Sequence, residues 1–187
     1  ARLGADALPA VAAGLADLDE FVLGVADLAH GGAAVDEHAT HLGGGHAQGG
    51  EVALLGDQLH GAHKDGKDDE YVVCALLHDI GDTLGPTNHA DIAATILEPY
   101  SSEENHWMVK HHAIFQGYYF FEYLGLDRNL RDQYKDHPHY ERTLEFIEKY
   151  DAPAFDPEAE TYGLDFFEPM LKAVLARPKK SLYMSND

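Results

Sequence analysis

Apolar positions in this chain recur at three- and four-residue spacing, and no segment alternates apolar and polar residues over the length of a strand. The clearest signals follow Lys64. Asp68 and Asp69 are placed to cap a helix over residues 70–80, built on the run Tyr71-Val72-Val73-Cys74-Ala75-Leu76-Leu77 and ended by Gly81. Asn88 is placed to cap a second helix over 89–97, which Pro99 stops. Ser102, followed by Glu103 and Glu104, starts a third that runs through Trp107, Val109 and His112. The aromatic run 118–124 reads as core. Pro138 precedes a helix over 139–150 with Leu144, Phe146 and Ile147 inward, and a last helix spans 165–175. The pattern predicts an all-α domain.

Composition divides the chain. Residues 1–63 contain no Lys, Ser, Asn, Ile, Tyr, Met or Trp; from Lys64 onward all of these types occur. Spacing within 10–28 suits one or two helices, and the Gly- and His-rich stretch 31–50 reads as loop. Three readings of this segment stand: a flexible leader, a helical part of the domain with a drifted sequence, or a shifted reading frame in a GC-rich gene. The organisation expected is an atypical segment 1–63 and a domain core 64–187. At 187 residues one compact domain can bury a sizeable core without staples.

Charge narrows the partners. Thirteen Lys and Arg stand against 33 Asp and Glu, a formal charge of −20, which repels nucleic acid and anionic lipid surfaces. An anionic small substrate then needs local positive charge, and a bound metal is one source. The one cysteine, Cys74, lies in the apolar run and reads as a buried core thiol. With no disulfide, no signal-peptide pattern and no run near the ~18–20 apolar residues of a membrane span, a cytoplasmic location is expected.

Seven histidines follow Lys64: His78, His89, His106, His111, His112, His137 and His139. A His-Asp dipeptide is close to chance in so His- and Asp-rich a chain, but His78 and Asp79 follow directly on an apolar helix. Burying both without a partner is costly, and a divalent cation satisfies both. His89, His112 and Asp151 each lie at or beside a separate predicted helix end. They converge only if the helices pack as a bundle around a central site. Nitrogen and oxygen donors without thiolate favour Fe, Mn or Co over a structural Zn–Cys site. His106, His137 and His139 read as surface or core residues. Arg128, Arg131 and Lys135, at helical spacing, read as a solvated face or as an anion clamp.

The stretch Ala75-Leu76-Leu77-His78-Asp79-Ile80-Gly81-Asp82 resembles the signature of the HD-domain superfamily. Asn88-His89-Ala90, Lys110-His111-His112-Ala113-Ile114-Phe115-Gln116-Gly117-Tyr118-Tyr119, Glu148-Lys149-Tyr150-Asp151 and Phe166-Phe167-Glu168-Pro169-Met170 are similar to a narrower branch. That branch holds the mixed-valence diiron oxygenases that cleave carbon–phosphorus bonds in hydroxylated phosphonates, and it is related to myo-inositol oxygenase. The resemblance covers residues 64–180.

It implies a helical bundle around a central dinuclear site holding two iron ions, Fe2+/Fe3+, with Mn, Co or Zn as alternatives. His78 would ligate one metal and Asp79 bridge both; His89 and His112 would hold the second, and Asp151 return to the first. The family's remaining ligand is an upstream histidine, at a position that falls near Leu54; His60 and His63 are close but out of register. Asp82 and Gln116 stand where relatives carry basic residues that meet the substrate. An acidic Asp82, with Tyr118 and Tyr119 nearby in sequence, suggests a cationic group such as a quaternary ammonium on the substrate. The expected activity is oxidative cleavage of a small hydroxylated substrate with O2. The alternatives are a metal-dependent phosphohydrolase acting on a nucleotide or phosphomonoester, and a non-catalytic binding module.

Overall fold

A computed structural model describes residues 61–82, 84–152 and 164–181. Among them every regular element is a helix or helical turn, as the spacing predicts. Five α-helices follow in order: α1 Asp69–Leu77, α2 His89–Leu97, α3 Glu103–Gln116, α4 Tyr140–Phe146 and α5 Leu164–Leu175. No helix among the described residues is long and apolar enough to cross a membrane.

The first helix sits at the centre. Every residue from Tyr71 to Leu77 is buried, so α1 has no polar face and must be covered on all sides. Helices α3 and α5 pack against it, while α3 also packs along α2 and α4. The shared core adds Leu97, Met108, Val109, Phe115, Phe146, Ile147, Tyr150, Phe167, Leu171 and Leu175. Ala62 belongs to it too, ahead of the compositional change at Lys64. Cys74 is buried as expected, and desolvation raises its thiol far above the ordinary cysteine range, which keeps it an unreactive core residue.

The starts of α1 and α3 are tied together. Asp68 caps α1, its side chain accepting from the Tyr71 N–H at 2.8 Å. Ser102 caps α3 through the Asn105 N–H. Glu70 on α1 reaches across to accept from the Ser102 N–H at 2.5 Å and from the Asn105 amide at 2.8 Å, and it pairs with Lys179. On its other side, Asn105 Oδ1 accepts from Arg142 of α4 at 2.6 Å. One carboxylate and one amide thus hold the starts of α1 and α3 to the side of α4.

Several expectations change. The first helix stops at Leu77 rather than 80, because His78–Asp82 form a turn. Asn88 stands at the start of α2 but makes no side-chain cap; a 3-10 turn, Pro86–Asn88, feeds the helix instead. The helix expected over 139–150 is α only as far as Phe146 and then widens into a π turn, Ile147–Asp151. The aromatic run 118–124 is not core. It forms two 3-10 turns, Gly117–Tyr119 and Phe121–Leu124, with Tyr119, Phe120, Tyr123 and Leu124 exposed. Hydrophobicity alone did not distinguish it from a buried stretch. The segment holding Arg131 is likewise a 3-10 turn, Leu130–Tyr134, not a solvated helix.

Glu70 generates a prediction. Burial raises its pKa, but Lys179, Ser102 and Asn105 outweigh that and hold it down at about 2. A depressed carboxylate stabilises the fold above its unfolded value of 4.5 and loses that contribution as pH falls toward 2. Glu70→Gln should therefore cost about 2 kcal/mol at pH 7 in urea unfolding and much less at pH 3. Equal losses at both pH values would refute the ionic account of this contact.

Candidate metal centre

The buried end of α1 sets the first candidate ligand. His78 follows the helix with no exposed surface, and its ring turns back so that Nδ1 lies 2.7 Å from the Ala75 carbonyl oxygen. A carbonyl oxygen only accepts, so Nδ1 carries the proton and Nε2 points away as a lone pair. His112, on the buried face of α3, repeats the device: Nδ1 lies 2.6 Å from the Val109 carbonyl oxygen. So does His89 at the start of α2, with Nδ1 3.1 Å from the Pro86 carbonyl. Three imidazoles from three elements are thereby oriented with Nε2 free.

All three Nε2 atoms converge on Asp79. Its Oδ2 lies 3.0 Å from His78 Nε2, which is also 3.5 Å from Asp151 Oδ1. Its Oδ1 lies 3.1 Å from His112 Nε2 and 3.5 Å from His89 Nε2. The π turn delivers Asp151: one widened turn puts Tyr150 against the core and buries the Asp151 carboxylate beside His78. All five sequence-predicted ligands are thus brought together.

The arrangement is not self-sufficient as bare protein. His89 Nε2 and His112 Nε2 face each other at 3.1 Å, where two lone pairs repel. His78 Nε2 and Asp151 Oδ2 are buried without a hydrogen-bond partner. A cation, or protons in its place, must occupy this space. The donors fit a divalent metal, and two groups, His78–Asp79–His112 and Asp79–Asp82–His89, are compact enough to hold one.

Protonation follows the same geometry. Burial disfavours a charged His78, but Asp79 and Asp151 outweigh it and hold the ring well above the usual histidine range. Burial likewise raises Asp79, and the His78 and His112 rings pull it well below the usual carboxylate range. The centre is closed on one side and open on the other: the side chains of His78 and Asp151 are at most 2% exposed, whereas Asp79 is 40% exposed. Solutes therefore reach it past Asp79, His89 and Asp82.

Asp82 sits at that opening. Its Oδ1 is 3.2 Å from His89 Nδ1, the nitrogen that donates to the Pro86 carbonyl. Burial and the neighbouring Asp79 charge push its carboxyl up. Gly81 makes this approach possible, since a Cβ there would lie 2.2 Å from the His89 carbonyl oxygen. Its need is this close contact, which the sequence reading took for a helix stop. Gln116, the last residue of α3, is half-buried one turn beyond His112.

Other expectations fall elsewhere. Leu54 and His60 lie outside the described residues. His63 is exposed, its ring edge-on to Phe166 at 5.1 Å. His111 and His137 stack on Trp107 at 4.1 and 4.2 Å, and His139 borders the same ring. Tyr118 is not a vacant wall for a substrate cation: Arg128 and Arg131 lie over its ring at 4.1 and 3.7 Å. Sequence reasoning missed the carbonyls of Ala75, Pro86 and Val109 that orient the ligands. No residue type marks them, because every residue has a carbonyl three positions before it and only the folded ring orientation selects these three.

Two outcomes follow. Asp79 and Asp151 favour a proton on His78 in the metal-free chain, and metal must displace it. Titration calorimetry with Mn2+ or Co2+ in two buffers of different ionisation enthalpy should show release of about one proton or more per chain; none would contradict the assignment. Gly81→Ala should weaken the second metal equivalent by about tenfold or more, through displacement of His89, in the same titration. Unchanged affinity would remove Gly81 from the account.

Comparison with known proteins agrees with this geometry. No curated protein matches the chain. The HD domain, an all-α fold whose members bind divalent metals, matches residues 50–152, more than half of the chain, and the matched stretch contains His78, Asp79, His89, His112 and Asp151. The chain belongs to the HD domain family.

Proposed function

We propose that this HD protein is a two-metal enzyme, and specifically a diiron oxygenase that cleaves a small hydroxylated, phosphonate-type substrate with O2. The observation that carries the two-metal reading is the division of ligands across one carboxylate. Asp79 Oδ2 faces His78, backed by Asp151, while Oδ1 faces His89 and His112. A carboxylate with separate ligand sets on its two oxygens is arranged to bridge.

Iron is favoured by the donor set. All five ligands offer nitrogen or oxygen, and the one cysteine is buried within α1. Bound iron would supply Lewis acidity and the one-electron chemistry that activates O2. The chain's part is orientation and exclusion. His78 and Asp151 close the inner side against water, and the edge at Asp79 and His89 admits a substrate hydroxyl and its neighbouring oxygen. Asp82 sets a carboxylate 3.2 Å from His89 Nδ1, which favours the Nδ1-protonated ring by charge.

The test is oxygen uptake. Iron-loaded protein given a panel of 1-hydroxyalkylphosphonates should consume O2 and release phosphate in equal amounts with at least one of them. Asp79→Ala should abolish both, a fall of about a hundredfold or more. Anaerobic hydrolysis of a phosphomonoester, with no O2 uptake from any phosphonate, would make the protein a phosphohydrolase instead.

A further inference from the structure

We propose that Arg128 and Arg131, held over the ring of Tyr118, form a binding site for a phosphate- or phosphonate-type oxyanion. Tyr118 lies in the turn Gly117–Tyr119 that directly continues α3, and Arg131 in the turn Leu130–Tyr134 that packs against it. The guanidinium carbons are 4.1 and 3.7 Å from the ring centre, so the two charges lie within about 8 Å of each other, inside one Debye length.

Of the two, only Arg128 has a carboxylate partner: its Nη1 donates to Glu122 at 3.4 Å, and Glu122 is itself 74% exposed. Among the described residues no carboxylate lies within ion-pair distance of Arg131, although the chain carries 33 Asp and Glu against 13 Lys and Arg. Arg128 Nε, Arg131 Nε and Arg131 Nη1 are moreover buried with no acceptor. Buried donors are nearly always paired, and the pairing absent here is one that an oxyanion provides. Guanidinium groups bind phosphate-type oxygens with short, charge-assisted hydrogen bonds, and two of them match a dianion. Stacking on Tyr118 fixes both in place at little entropic cost on binding. Arg128 is 40% exposed, which leaves a route in from solvent.

The site deepens the proposed function and rests on it only in equating the anion with the substrate's phosphonate group. It supplies the positive charge that Asp82 and Gln116 do not. It also turns the substrate class toward anions, since the ring of Tyr118 already carries the protein's own cations.

Titration calorimetry of the chelator-treated full chain with inorganic phosphate tests it. Wild type should bind saturably. Arg131→Gln and Arg128→Gln should each weaken binding by about tenfold or more. Arg131→Lys, which keeps the charge and loses the fork, should fall between, and it serves if the glutamine variants do not fold. Lys180→Gln, which removes an exposed charge elsewhere, should leave phosphate binding unchanged. No phosphate binding by wild type, equal binding by wild type and the arginine-to-glutamine variants, or equal loss in Lys180→Gln would each overturn the proposal. Arginine-dependent phosphate binding in a protein that takes up no O2 would support the clamp and defeat the oxygenase reading alone.

Discussion

Three imidazoles are aimed at one carboxylate with their lone pairs forward, and the rest of the structure is arranged around that constraint. Each ring spends its Nδ1 proton on a backbone carbonyl, of Ala75, Pro86 or Val109. That choice of tautomer leaves Nε2 with nothing to donate. Without a cation, the 3.1 Å approach of His89 to His112 and the orphaned His78 Nε2 would be costly. The cost falls in the part of the molecule least able to relieve it, because His78 and His112 are fully buried.

Burial of α1 is what places the problem there. A helix buried on every side from Tyr71 to Leu77 has to run through the centre of the bundle, so His78, which follows its last turn, is buried with it. Its two ends are treated differently. At the N-terminal end the polar groups satisfy one another, through Glu70, Asn105, Ser102, Arg142 and Lys179. At the C-terminal end the polar groups are aligned but left short of a partner. The contrast between a completed network and an incomplete one, about one helix length apart, separates what holds the fold from what binds.

Much of this was legible in the sequence, for identifiable reasons. An unbroken apolar run ending in His78-Asp79 can be read as a buried helix delivering polar groups, whereas His89 and His112 were singled out by the resemblance of the stretches around them to the diiron branch and not by a cap, since Asn88 forms none. Asp151 was legible as a residue but not as a geometry, since a π turn is a packing outcome with no spacing signal. The exposure of Tyr119, Phe120 and Tyr123 was unreadable because aromatic composition does not say whether a partner face exists. The meeting of Arg128 and Arg131 on Tyr118 depends on two turns folding back on each other, which periodicity does not encode. The N-terminal compositional shift did not mark a packing boundary at Lys64, since Ala62 is fully buried.

The central claim is that Asp79 bridges two metals. Mössbauer spectroscopy of the anaerobically iron-loaded protein, with the iron content of the same sample, tests it most directly. The account predicts two irons per chain with spectra of an exchange-coupled pair. A single uncoupled iron per chain, bound with Asp79 as a terminal ligand, would contradict it.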